Sequence, residues 1–268
     1  MSRQQTLDPT TIAYALRQKG NVMKAVMLRD MRTRFFNHGL GFLVVPLWPL
    51  AHLVILLAIY HLVGRAAPYG SSLDIFFATG LIPTLAFMYV SRFMALSLII
   101  NRPMLSFPAV KTTDILFGRA ALEAVAACLM AALTFFMLLA VGDNPYPIDP
   151  LQAFFAFAAV LVLGVGVGVI IGVLCMINEL IITAYYLFVI VIYITSGTLF
   201  VPSALPAPIV AILKWSPMVQ SVEWMRNAVI PGYPDQILNK TYLVGCALTT
   251  VMIGLGLERL LRARLLQK

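Results

Sequence analysis

The side chains able to do chemistry are few, and their positions limit what that chemistry is. No glycine precedes a lysine anywhere in the 268 residues, so the G-x-x-x-x-G-K-[ST] loop that cradles nucleotide phosphates is absent. Neither H-E-x-x-H nor G-x-S-x-G occurs, which removes the usual zinc-protease and serine-hydrolase arrangements. Cys128, Cys175 and Cys246 all lie inside apolar runs. They read as small packing residues, with neither metal-ligand spacing nor a disulfide framework. Ion-coupled carriers place acids or histidines at mid-membrane. Here Glu123 and Glu179 fall near one end of apolar runs and Asp74 near the other. His52 and His61 are the exceptions, and His52, one helical turn after Trp48, reads first as a hydrogen-bonded packing residue.

What remains is a chemistry of surfaces. Tyr186, Tyr193 and Phe200 are seven residues apart, which predicts one helix face, with Tyr185 beside them; Trp48 and Tyr60 lie in the first apolar run. Their rings offer flat faces on which sugars stack, although aromatic packing and interfacial belts use the same residues. Gly164, Gly168 and Gly172 recur every fourth residue, with Gly166 between them. Such a row admits another helix closely, from this chain or a second one. The connection 101–111 is polar, amphipathic and marked by prolines. Periodicity alone reads it as a simple loop, but a protein docked on it could push both flanking helices.

The elements that must position these residues follow from composition. The chain is 61% hydrophobic and 11% charged, whereas a soluble domain carries about 25% charged residues. Apolar runs reach the ~20 residues that cross ~30 Å of hydrocarbon as a helix. The fold expected is an all-α membrane protein with six transmembrane helices at about 40–63, 75–100, 116–141, 151–176, 180–201 and 242–257. Residues 202–232 hold two apolar stretches, 205–213 and 217–230, too short to cross, which predicts a re-entrant or interfacial helix pair between spans five and six. Residues 1–36 form a basic amphipathic segment expected on the membrane surface and broken at Gly20-Asn21; 37–268 form one transmembrane domain. The first forty residues lack a secretory-signal pattern. Fifteen of nineteen Lys and Arg fall in the amino-terminal segment, the connection after span two and the carboxyl tail. With six spans this puts both termini in the cytoplasm. The net charge of +8 is therefore topology signal and lipid attraction, not a nucleic-acid footprint. No inverted repeat of the secondary-transporter kind is evident.

A set of motifs in order carries a resemblance. Arg32-Thr33-Arg34-Phe35-Phe36 is followed by Gly39-Leu40-Gly41 and Trp48-Pro49, then by the stretch from Asn101 to Val110. Ser196-Gly197-Thr198-Leu199-Phe200, Leu205-Pro206, Trp215-Ser216-Pro217-Met218, Val222-Glu223-Trp224-Met225-Arg226 and Pro231-Gly232-Tyr233 complete it. Over nearly its whole length the chain resembles the permeases of type-two ABC exporters, in particular the capsular polysaccharide export family (KpsM-like). Ser216 departs mildly, since relatives commonly have Asn before this proline. The resemblance implies a transport subunit rather than an enzyme, which pairs with a second copy of itself and moves a lipid-linked, often acidic polysaccharide across the bacterial inner membrane. Two separate subunits would bind ATP and magnesium; this chain would hold no cofactor. Pro103, Met104, Leu105, Phe107, Pro108, Val110 and Lys111 would receive the ATPase. Trp48, Tyr60, Tyr185, Tyr186, Tyr193 and Phe200 would line the path, and Arg29, Arg32 and Arg34 would meet the glycolipid or the membrane surface. A periplasmic co-polymerase or adaptor and an outer-membrane polysaccharide exporter would complete the system. The alternatives are an O-antigen or teichoic-acid permease, another type-two exporter, an ion-coupled carrier using His52, and a membrane-embedded enzyme, which the lack of clustered acids, His or Cys disfavours.

Overall fold

The structure, a computed structural model, describes residues 12–33, 44–108 and 110–266. Among them every regular element is helical. In order they are α1 (Ile12–Thr33), α2 (Val44–Leu62), α3 (Leu73–Ile100), a 3-10 turn (Arg102–Ser106), α4 (Thr112–Val141), α5 (Pro150–Cys175), α6 (Leu180–Thr195), a second 3-10 turn (Pro202–Ala204), α7 (Ala207–Leu213), α8 (Pro217–Val229) and α9 (Lys240–Leu266). Five described helices, α2, α3, α4, α5 and α9, are long and apolar enough to cross a membrane. The sixth predicted span, α6, has 16 residues and is about 24 Å long, short of the ~30 Å core. The predicted start of span one and the motif Gly39-Leu40-Gly41 lie outside the described residues.

Local chemistry sets the helix ends. Ser72 caps α3 by accepting from Ile75 N at 3.2 Å. Asp149 caps α5 by accepting from Gln152 N at 3.0 Å, with Pro150 at the first helical position, where its missing N–H costs nothing. Gly142 at φ +99° stops α4. Two predicted boundaries need correction. α1 runs unbroken through Gly20-Asn21; one glycine costs a helix only about 1 kcal/mol, and α1 is held on α4 around buried Val26. α6 ends at Thr195 rather than Val201. Gly197 turns the chain at φ +82°, and the hydroxyls of Ser196 and Thr198 bond each other at 2.7 Å, with Thr198 reaching Thr84 at 2.8 Å.

Helix α3 is the central pillar: 78% of its most apolar 18-residue window is buried, against 22% for α9. The glycine row docks α5 on it. A Cβ at Gly168 would lie 2.3 Å from Met94 Cβ, one at Gly164 3.3 Å from Val90, and one at Gly172 3.1 Å from Ala95 O. Gly166 and Gly254 serve the α5–α9 contact instead, with Thr250 and Val169 as neighbours. The row is therefore spent inside the chain. α8 packs against α3 and α5, and α2 leans on α3 and α4. At one pole gather α1, the C-terminal ends of α3 and α9 and the N-terminal end of α4; most of the cationic residues belong to this basic pole. The loops after α2 and α6, together with α8, meet at the opposite pole.

Candidate functional site

At the basic pole the connection after α3 is fastened at both ends. Asn101 is fully buried; its amide donates to Ser97 O at 3.0 Å and to Asp30 Oδ2 of α1 at 3.4 Å, while its oxygen accepts from Arg29 at 2.8 Å. Asp30 also accepts from Arg119 of α4 at 2.7 Å, and Arg119 pairs with Glu123 at 2.8 Å. At the far end Thr112 donates to Glu258 of α9, which Arg262 holds at 2.8 Å. Between these pins Met104, Leu105 and Val110 turn toward the apolar core. Pro103, Phe107, Pro108 and Lys111 face outward, Phe107 with 62% of its surface exposed. The simple-loop reading thus gives way to a 3-10 turn with an anchored apolar side and a presented outer side. Arg29 is committed to Asn101, Arg32 is exposed, and Arg34 lies outside the described residues.

The predicted aromatic face survives in part. Tyr193 meets His52 of α2, hydroxyl to Nε2, at 3.2 Å, which fits His52 as a packing residue. Tyr186 carries the Arg92 guanidinium 4.2 Å above its ring. These two share a face of α6, turned to α2 and α3. Phe200 leaves that face because the helix has ended, and its carbonyl accepts from Arg226 at 3.0 Å. Tyr185 is buried, with its hydroxyl donating to Ser91 at 2.6 Å. Tyr60 stacks on Phe77 at 4.5 Å under Arg65, and Trp48 is 70% exposed.

The opposite pole is built around Arg226, whose guanidinium is fully buried and lies 3.8 Å from the Phe76 ring. It donates to the carbonyls of Gly197 at 2.7 Å, Thr198 at 2.7 Å and Phe200. Arg65 donates to the remaining one, Leu199 O, at 3.0 Å. Four consecutive carbonyls after α6 are thus held by two arginines. Such charge-assisted bonds suit the negative end of a helix dipole. Tyr233 donates to Glu223 Oε1 at 2.6 Å, while Glu223 Oε2 is buried with no partner among the described residues. Burial raises the Glu223 carboxyl to about 7, against the opposing pull of the Tyr233 hydrogen bond and the Arg226 charge. Tyr69 ties the loop after α2 to Gly232 O.

Sequence reasoning used Arg226 only as a motif letter and missed Asp30, Asn101, Arg119, Glu223 and Glu258 as partners. Signals were present. Asp30 is the lone acid in α1 among five cations, and Glu223 with Arg226 is an i,i+3 charge pair inside a short apolar helix. Among the described residues no cluster of His, Cys, Asp and Glu is fit to hold a metal ion.

No protein-family model matches the chain. Individual relatives do. The chain is 30% identical to the polysialic acid transport protein KpsM of Escherichia coli over 237 residues, covering 88% of this chain and 92% of that protein. It is 23% identical to the capsule polysaccharide export inner-membrane protein BexB of Haemophilus influenzae over 249 residues, 92% of this chain and 94% of the relative. The corresponding protein CtrC of Neisseria meningitidis serogroup A is 22% identical over 250 residues, 93% and 94% of the two chains.

Proposed function

The chain belongs to the family of capsule polysaccharide export inner-membrane proteins, and from that premise we propose that it is the multi-pass inner-membrane permease of a type-two ABC exporter that moves capsular polysaccharide. The near-full-length likeness to capsule export proteins carries this reading. Its cargo is a lipid-linked, acidic polymer. A separate pair of ATP-binding subunits, which hold the ATP and magnesium, supplies the work. They dock on the outward side of the 102–111 connection, where Pro103, Phe107, Pro108 and Lys111 are presented. Met104, Leu105 and Val110 seat the connection from within, so a push is passed to α3 and α4.

Residues 37–268 act as one transmembrane domain with six spans, α2 to α6 and α9. The turn at 196–204 makes up the length that α6 lacks. α7 and α8 form the re-entrant pair on the periplasmic side, and both termini are cytoplasmic, as the charge bias requires. Two copies pair around the path, with Trp48, Tyr60, Tyr186 and Tyr193 of α2 and α6 toward it; Tyr185 braces α6 from behind and Phe200 stands where α6 gives way to the turn. Residues 1–36 are the membrane-surface segment, in which Arg32 and Arg34 meet anionic lipid or the glycolipid head while Arg29, bonded to Asn101, ties the segment to the connection. A periplasmic adaptor and an outer-membrane exporter take the polymer onward.

The test is deletion of this chain followed by complementation. Polymer should accumulate inside the cell without it and reach the surface with it. Phe107→Asp should lose the ATP-binding subunits on co-purification and fail to restore export. Normal surface polymer in the deletion strain, or full export with Phe107→Asp and retained ATPase, overturns the corresponding part.

A further inference from the structure

One cavity takes no part in that path. It is a slot of about 710 Å³ between α5, α6, α8 and α9, with Leu163, Val167, Phe188, Val191, Met218 and Cys246 in its walls. Three of its five hydroxyls are turned away into backbone bonds. Thr195 donates to Val191 O at 2.9 Å, Thr250 to Ala247 O at 2.9 Å, and Tyr242 to Trp215 O at 2.7 Å. The slot therefore offers hydrocarbon to a ligand. At about 100° per residue, Phe188, Val191 and Thr195 lie on the side of α6 opposite Tyr186 and Tyr193.

At the pole away from α1, Tyr242 also walls a second cleft of about 290 Å³, shared with Lys214, Trp215, Gln236 and Asn239. Here Lys214 Nζ stands 5.7 Å from the Trp215 ring centre. An apolar slot and a polar cleft with a cation thus share one wall, which is the shape of a site for an anionic amphiphile. Along α9 from Tyr242 to Thr250 the slot runs about 12 Å, most of the roughly 15 Å of hydrocarbon in one leaflet.

We propose that this is a binding site for one anionic phospholipid of the leaflet at that pole, its acyl chains in the slot and its phosphate beside Lys214. The opposite face of α6 separates it from the aromatic residues of the path, so the lipid is a resident brace for α6, α8 and α9, not cargo. It rests on α5, α6 and α9 lying in a bilayer and not on the identity of the polymer.

A probe can be placed without harm. Gly245 lines the slot, and a Cβ built there meets nothing within 4 Å, so Gly245→Phe fills the space that acyl chains would take. Cys246→Phe fills it from the next position. The full chain, purified with whatever subunits accompany it, is stripped of lipid and titrated with phosphatidylglycerol or phosphatidylcholine of equal acyl length under native mass spectrometry. One phosphatidylglycerol should bind per chain, about fivefold more tightly than phosphatidylcholine, as expected for one lysine near a phosphate. Lys214→Glu should remove that preference. Gly245→Phe and Cys246→Phe should remove the bound lipid while melting in lipid-free detergent stays at the unaltered chain's value. Undiminished lipid binding in both filled variants overturns the site. So does a preference that survives Lys214→Glu, a saccharide-bearing lipid found in place of phospholipid, or a filled slot that splits a dimer without changing the lipid count.

Discussion

Arg226 is a fully buried charge held by several partners. Its guanidinium has left water entirely and recovers that cost through the Gly197, Thr198 and Phe200 carbonyls, the Tyr233 hydroxyl, the nearby Glu223 carboxyl and the faces of Phe76 and Tyr233. Arg226→Met removes the donors but leaves the carbonyls and Glu223 buried. Losing one member of such a group costs about 3–5 kcal/mol, which lowers the melting temperature by on the order of 10 °C in a chain of this size. Arg226→Lys should fall short of rescue, because one ammonium cannot span three carbonyls set for a planar fork. Equal melting of all three proteins in detergent would refute the pinning role. Glu223 gives a test with a definite sign. Its folded value, near 7, lies above the ordinary 4.5, so between those two the folded chain binds the extra proton and stability falls as pH rises. Glu223→Gln should flatten that decline and melt higher than the parent chain at pH 8, while the two converge near pH 4. A parent chain whose melting is level from pH 5 to pH 8 would contradict it. Neither partner set could be read from sequence, since Arg226 finds its acceptors 26 to 29 residues away.

Helices α3 and α5 show how much of an element's role is written in its own residues. Apolar length located α2, α3, α4, α5 and α9, because lipid imposes that length on any crossing helix. The four-residue glycine period located a close contact, again from the segment alone. Its partner stayed open in sequence because a glycine's neighbour is decided by tertiary packing; the structure assigns Met94 and Ser91 of α3 to Gly168. The end of α6 was misjudged for a related reason. Residues 196–201 stay apolar enough to continue the run, and the reversal depends on Gly197 together with Thr84 and Arg226 from elsewhere in the fold. The contact makes a prediction about elements. Gly168→Leu must part α3 from α5, since even its Cβ would stand 2.7 Å from Ser91 O. Overpacking of this kind costs typically 1–3 kcal/mol and often more at backbone. Gly245→Ala, on an open face of α9, should be neutral or slightly stabilising. Thermal unfolding and monodispersity of the two variants decide it: a Gly168→Leu protein that elutes and melts like its parent would mean that α5 is not seated on α3 through this row.

At the scale of the whole molecule the two poles differ in kind, and that difference predicts an orientation. One pole gathers α1, the 102–111 connection and the end of α9, fastened by Asp30, Asn101, Arg119 and Glu258. The other gathers the loop after α2, the reversal after α6 and the α7–α8 pair, closed by Arg65, Arg226 and Tyr69. Among the described Lys and Arg, only Arg65, Lys214, Arg226 and Lys240 belong to the second pole, and Arg226 is buried there. Lysine and arginine near span ends resist translocation, so the expected orientation has the first pole in the cytoplasm and the second in the periplasm. An impermeant thiol reagent tests this on intact cells. The native cysteines, which lie within α4, α5 and α9, are first replaced by alanine. A cysteine at exposed Gln236, between α8 and α9, should then label from outside. One at exposed Lys24 in α1 should label only after the inner membrane is opened. Labelling at both positions from outside would require an even number of crossings between them. α6 would then stop short of crossing, leaving the five helices that are long enough by themselves. Labelling at position 236 alone keeps the count even between cytoplasmic α9 end and α1, and makes the turn at 196–204 the means by which a 16-residue helix completes its passage.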